Sequence, residues 1–268
     1  MRIYFLFILS LLFFGCETGQ TIEVDLNEKI IIPKHYVVSK TSDPILIDGI
    51  DNEKVWNQAK YSDDFIDIEG LKTPTQKTNV KLLWDKNYLY VFAKLFENHI
   101  WGDITERDDV IFYNNDFEVF INPNNHVFSY GEIEINALGT VWDLYLNRPY
   151  RLKGKADNSW NIEGLKSAVN INGTINNPND VDNFWTVEMA IPLDKISQLK
   201  TTLDYDNPKI GDVWRINFSR VNWDYELKNE KYFRKKINDK YLPEYNWVWS
   251  QQGTVNMHLP ENWGYLIF

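Results

Sequence analysis

The chain has 268 residues, with 28 Lys and Arg against 38 Asp and Glu, a formal net charge of -10 at pH 7. This balance argues against a nucleic-acid partner, because neutralising phosphates takes a surplus of basic side chains. A single cysteine excludes an intrachain disulfide, while 11 Trp, 15 Tyr and 15 Phe supply large rigid plates that can fill a core or stack on a flat ligand.

After Arg2, the stretch from Ile3 to Phe14 is apolar except for Ser10. It falls short of the roughly 20 residues of a membrane span and fits the apolar part of an export signal over residues 1–15. Phe13-Phe14-Gly15-Cys16 resembles a bacterial lipobox, which implies cleavage after Gly15, a lipid on Cys16 and a tether over residues 16–43. An ordinary export signal with an incidental cysteine is the alternative. With a lipidated Cys16, the expected location is the cell envelope, on the bacterial outer membrane, with membrane attachment through the lipid alone.

Residues 44–268 read as a single domain, large enough to bury a core without disulfides. Val80, Leu82 and Trp84 alternate, Asp85-Lys86-Asn87 forms a turn, and Leu89, Val91, Ala93 and Leu95 alternate again within Tyr88–Phe96. Phe117, Val119 and Ile121 repeat the pattern before a Pro123-Asn124-Asn125 turn, as do Tyr130–Ala137, Thr140–Leu146, Trp185–Ile191 and Val213–Val221. The short helical candidates are Asp51–Ala59 and Leu193–Leu199, and the apolar end Gly264–Phe268 is expected to dock as a strand. Many strands at this spacing predict an all-β fold, an antiparallel β-sandwich with one or two short helices.

Strand parity sorts the tryptophans. Trp84, Trp185 and Trp214 share faces with apolar neighbours and belong to the core, as does Trp56 in its short helix. Trp160 and Trp263 have no assignment. Trp101, Trp142, Trp223, Trp247 and Trp249 adjoin polar residues in loop-like stretches and are candidates for stacking on a ligand.

The opposite parity gives a polar sheet face. Asp116 and Glu118 oppose Phe117 and Val119; Glu132, Glu134 and Asn136 oppose Ile133 and Ile135; Arg215 and Asn217 oppose Trp214 and Ile216. Such groups exchange hydrogen bonds with sugar hydroxyls, although a solvated outer face has the same pattern. The polar, aromatic stretch from Trp101 to Glu118, which includes Arg107 and Tyr113, reads as a binding loop or a calcium loop without EF-hand spacing. No Gly-x-Ser-x-Gly, His-Glu-x-x-His or phosphate loop occurs. Paired carboxylates, Asp116 with Glu118 or Glu132 with Glu134, leave open a glycoside hydrolase. Met257 and His258 are adjacent, so they point apart in a strand and make a poor haem pair.

Several stretches resemble, in order, the carbohydrate-binding module family 9-like domains. They are Ile47-Asp48-Gly49 with Asp51 and Trp56, Leu83-Trp84-Asp85 with Tyr88-Leu89-Tyr90-Val91, and Asp116-Phe117-Glu118-Val119-Phe120-Ile121. Glu132-Ile133-Glu134-Ile135-Asn136, Trp185 to Pro192 and Gly211 to Phe218 continue the series. The resemblance implies a β-sandwich that binds glycans between aromatic plates, with structural calcium in some members and no other cofactor. It points to Trp101 or Tyr113 as a first plate, Glu118, Glu134 and Asn136 as polar partners, and Trp223, Trp247 or Trp249 as a second plate. Trp142, Arg107, Arg215, Arg220 and His258 complete the candidate set. The expected protein is a lipid-anchored binder of poly- or oligosaccharide that assists polysaccharide capture or degradation. A polysaccharide-active enzyme and, more remotely, a haem-binding domain are the alternatives.

Overall fold

The computed structural model describes residues 31–268. The export signal over residues 1–15, the lipidation site Cys16 and the first part of the tether lie outside the described residues. Strands come in the order β1 (His35–Val37), β2 (Ser39–Lys40), β3 (Ile66–Asp67), β4 (Thr78–Trp84), β5 (Tyr88–Phe96), β6 (Asp116–Asn122), β7 (Tyr130–Asn136), β8 (Val141–Leu146) and β9 (Ala156–Asp157). Then follow β10 (Lys166–Asn172), β11 (Phe184–Pro192), helix α1 (Leu193–Ser197), β12 (Val213–Asn222), β13 (Tyr225–Lys228), β14 (Lys231–Arg234), β15 (Lys236–Ile237), β16 (Lys240–Tyr241), β17 (Tyr245–Val248) and β18 (Gly264–Ile267).

Two sheets result. A nine-stranded sheet runs β1-β18-β12-β6-β7-β8-β9, with β17 pairing β12 and β3. A five-stranded sheet runs β10-β11-β5-β4-β2. Most pairings are antiparallel; the exceptions are β1 with β18 and β2 with β4, both parallel. Residues 35–40, within the expected tether, therefore hydrogen-bond to both sheets. The expected helix Asp51–Ala59 is a 3-10 turn over Lys54–Gln58, and Leu193–Leu199 contains α1. The apolar C-terminus docks as β18 between β1 and β12.

The period-2 rule places one face of each sheet inward. Phe117, Val119, Ile121, Ile133, Ile135, Trp214, Ile216 and Phe218 meet Val80, Leu82, Trp84, Leu89, Val91, Trp185, Val187 and Met189 in one core. Phe268 wedges between Trp84 and Trp214, with ring centroids 5.1 and 4.9 Å away and edge-on geometry. Burying each such side chain stabilises the fold by about 1.5–3 kcal/mol.

Each outer face is covered differently. On the five-stranded sheet, Val55 and Trp56 pack on Leu83, Tyr90, Phe92 and Ala190. Gly49 permits this docking: its φ is +84°, and a Cβ there would meet the Asn170 nitrogen at 2.8 Å. On the nine-stranded sheet, the strap between β17 and β18 lays Met257 and Trp263 over Phe120, Tyr130, Leu144, Leu146 and Val248. That strap reaches only part of the face.

Candidate functional site

Where the strap stops, the outer face of β6, β7 and β8 opens into a cavity of about 340 Å³. The strand register builds its floor. Glu118 pairs with Glu134 across β6 and β7, and Glu134 pairs with Trp142 across β7 and β8, so all three project to the same side. Glu132, two residues along β7, joins them. Phe112 and Tyr150 add rings to the wall, Glu244 and Asn246 approach from the β17 side, and Asn256 to His258 come from the strap.

The floor is acidic and buried. Glu118, Glu132 and Glu134 are buried, as is Asp116 beside them. Burial pushes the Glu118 carboxyl up to about 7, partly offset by the Ser219 hydroxyl. Burial, and then the neighbouring Glu118 charge, hold Asp116, Glu132 and Glu134 well above the usual carboxylate range. The Glu134 Oε2 accepts a 3.0 Å bond from the Phe112 backbone N–H, and Asp116 Oδ1 accepts one of 3.1 Å from Val221. Asp116 Oδ2, Glu118 Oε2 and Glu132 Oε2 have no hydrogen-bond partner among the described residues. Oxygens of Asp116, Glu118 and Glu134 lie within 4.8 Å of one another, the one such grouping found among the described residues. His258 shares a 3.0 Å hydrogen bond with the Tyr130 hydroxyl through Nδ1, and burial lowers it to about 4, so it is neutral at pH 7.

Of the sequence candidates, Glu118, Glu134, Trp142 and His258 meet in this cavity. The others lie elsewhere. Trp247 and Trp249 are core residues; Trp247 stands opposite Arg220 on the inward parity, and Trp249 packs on Phe218 at 5.8 Å. Arg220 is fully buried between the sheets, donating to Glu97 at 3.0 Å, Gln76 at 2.7 Å, Thr78 at 3.1 Å and the Phe96 carbonyl at 2.8 Å. Arg215 is on the outer face but is engaged by the strap carbonyls of Pro260 and Glu261. Asn136 is buried, its amide bonded to the Ile104 carbonyl and its oxygen accepting from Leu138 and Thr140, which pins the β7–β8 turn. Arg107 pairs with Asp143 and Asn161. Trp101 is buried in a parallel stack with Tyr232, and Trp223 donates its indole N–H to the Phe112 carbonyl at 2.7 Å. Tyr113 is exposed beside a neighbouring cavity of about 300 Å³, under the Arg234 guanidinium at 4.2 Å.

In this cavity the ring before β6 is Phe112, its backbone held by Trp223 and Glu134, whereas Trp101 and Tyr113 together line the neighbouring cavity with Arg234 and Tyr241. In the loop considered for calcium, Asn114 Oδ1 accepts from Asp103 and Ile104 within the loop, and Asn115 bonds Glu97 and Trp223 outside it. Met257 and His258, the pair considered for haem, both line this cavity as chain neighbours, Met257 packed in the outer-face cluster with Trp263 and His258 engaged by the Tyr130 hydroxyl. Sequence reasoning missed Phe112, Tyr150, Glu244 and Asn246. Phe112 precedes the strand by four residues and could have been found by its position; the rest arrive through long-range contacts.

A family model for carbohydrate family 9 binding domain-like sequences matches residues 47–238. Among solved structures, the chain is similar to a carbohydrate binding module family 9 from Caldicellulosiruptor kristjanssonii in complex with cellotriose, at 16% identity and a TM-score of 0.55, over 87% of this chain and 93% of that one. The glucose complex of a module of that family from the same organism gives 17% identity and 0.55, over 87% and 95%. A candidate carbohydrate-binding protein from Bacteroides uniformis ATCC 8492 gives 16% and 0.61, over 88% and 99%. At these identities the likeness is one of fold. No curated protein matches the chain.

Proposed function

The chain belongs to the carbohydrate family 9 binding domain-like family, and on that premise we propose that the cavity over β6, β7 and β8 binds an oligosaccharide. One observation carries this reading: a partly exposed indole, Trp142, stands beside the carboxylates of Glu118, Glu132 and Glu134 in a single cavity. A sugar ring has C–H faces and hydroxyl edges. An aromatic plate packs on the first, and carboxylate and amide groups bond the second. Phe112, Tyr150, Asn246 and Asn256 extend both kinds of contact. The similar modules were solved with cellotriose and glucose, which makes β-glucans the first ligands to test.

The floor favours binding over hydrolysis. Its carboxylates stand side by side on adjacent strands, whereas glycoside cleavage places two carboxyls on opposite sides of the scissile bond. The lipobox-like residues before Cys16 support a lipid anchor at the cell envelope, on the bacterial outer membrane, where the domain captures polysaccharide for degradation. Titrating a glycan panel while following tryptophan fluorescence should give saturable binding with at least one β-glucan oligosaccharide and no new reducing ends. A flat response across the panel would sink the reading. Loss of membrane retention in Cys16→Ser tests the anchor.

A further inference from the structure

The trio beside the cavity has the composition and spacing of a cation site. A calcium-class ion holds oxygens at about 2.3–2.6 Å, so two ligands of one ion lie no more than roughly 5 Å apart. The oxygens of Asp116, Glu118 and Glu134 meet that limit at 4.8 Å, and the set is all carboxylate, without His or Cys, which selects a hard ion over zinc.

Among the described residues, the surroundings supply no free counter-charge. None of the described residues that line the cavity is a Lys or Arg. Arg220, the basic group close enough to act on Asp116, extends from the inward parity of β12 and is ion-paired with Glu97 at 3.0 Å. Arg215 is engaged by strap carbonyls and Arg107 by Asp143.

A second observation comes from outside the trio. Glu132 is 4% exposed and lines the same cavity, yet its Oε2 has no hydrogen-bond partner and stands 4.0 Å from His258 Nε2. Buried acceptors without donors are rare and costly in folded proteins. Asp116 and Glu118, two members of the trio, likewise each leave one oxygen without a partner among the described residues. A bound cation satisfies several of them together.

We propose that Asp116, Glu118 and Glu134 hold a divalent cation of the calcium class, and that its remaining coordination positions face the cavity and take sugar hydroxyls. Only the second half rests on the reading of the cavity as a sugar site. Hard cations of this class complete six to eight oxygen ligands, and a pair of adjacent hydroxyls on a sugar supplies two.

The test uses chelator-treated full-length protein. Calorimetric titration with Ca²⁺ should show one ion per chain with a Kd of roughly 1 mM or below. Tb³⁺ should give indole-sensitised emission that Ca²⁺ displaces, since Trp142 is the cross-strand neighbour of Glu134. Glu134→Gln and Asp116→Asn keep shape while removing charge, and each should weaken Ca²⁺ about ten-fold or more. Should either amide variant fail to fold, Glu134→Asp, which keeps the charge and withdraws the oxygen, carries the same expectation. Absence of Ca²⁺ heat and of Tb³⁺ emission overturns the site, and so does Ca²⁺ affinity unchanged in the variants. Sugar titrations with and without chelator test the second half: a loss of about ten-fold under chelator supports the ion–hydroxyl contact, and equal affinity overturns it. Ca²⁺ binding without any sugar binding would refute the glycan reading and leave the cation site standing.

Discussion

On the outer face of the five-stranded sheet, Glu188 is buried and accepts three hydrogen bonds, from the Asp48 and Gly49 backbones at 2.9 and 3.0 Å and from the Trp56 indole at 3.0 Å. On the outer face of the nine-stranded sheet, Glu118 is buried almost as deeply, but its Oε2 has no partner. Burial raises both carboxyls to about 7. The difference lies in what the cover provides. The segment over Glu188 brings donors for both oxygens, so the carboxylate latches the cover to the sheet. The strap over the other sheet ends short of Glu118, so its carboxylate faces a cavity. Depth of burial and a shifted pKa do not separate a latch from a site. The count of satisfied oxygens does.

The comparison breaks most visibly at Trp56. Trp56→Ala removes the indole that anchors the first cover and should cost about 3–5 kcal/mol in chemical denaturation, while sugar affinity of the remaining folded protein stays unchanged. If affinity falls in step with stability, the two faces are not independent.

Glu188 sets the next effect. Its pKa rises on folding from the usual carboxylate value to about 7, so the folded state favours its protonated form. The stability this contributes is complete below the unfolded pKa near 4.5 and is lost as pH rises through 7, by about 3 kcal/mol in the limit. Glu188→Gln should therefore flatten part of the fall in melting temperature between pH 5 and 7.5. An unchanged slope would remove Glu188 from the account.

Trp142→Ala belongs to the other face. It should weaken sugar binding by about 1.5–3 kcal/mol, the value of one buried ring contact, with a smaller loss of stability than Trp56→Ala. A variant that binds sugar as the parent does would show that Phe112 and Tyr150 suffice as plates. The smallest effect is expected at Tyr113, exposed beside the neighbouring cavity. Tyr113→Ala should leave both sugar affinity and melting temperature nearly unchanged, and a clear loss of affinity would move the site toward Arg234.

Much of this fold is legible in the sequence because strand parity is a local property. Trp84, Trp185 and Trp214 share faces with apolar neighbours two residues away, and all three are core. Trp247 and Trp249 follow the same rule, alternating with Asn246 and Val248, but their polar neighbours made the segment look like a loop. Pairing of β17 with β12 turns them inward. Trp263, which parity left unassigned, is buried by the strap, its indole N–H donating to the Met257 carbonyl at 2.7 Å.

The sequence by itself determined the sandwich, its inward faces and the acidic parity of β6 and β7, because alternation needs only neighbours two residues apart. Tertiary structure decided which part of that acidic face is covered and which is open. It brought Tyr150, Glu244, Asn246 and His258 to the rim of one cavity, and it engaged Arg215 and Arg220 elsewhere. Those outcomes depend on where the strap and β17 come to rest, contacts more than a hundred residues distant from Glu118 along the chain, and no local pattern records them.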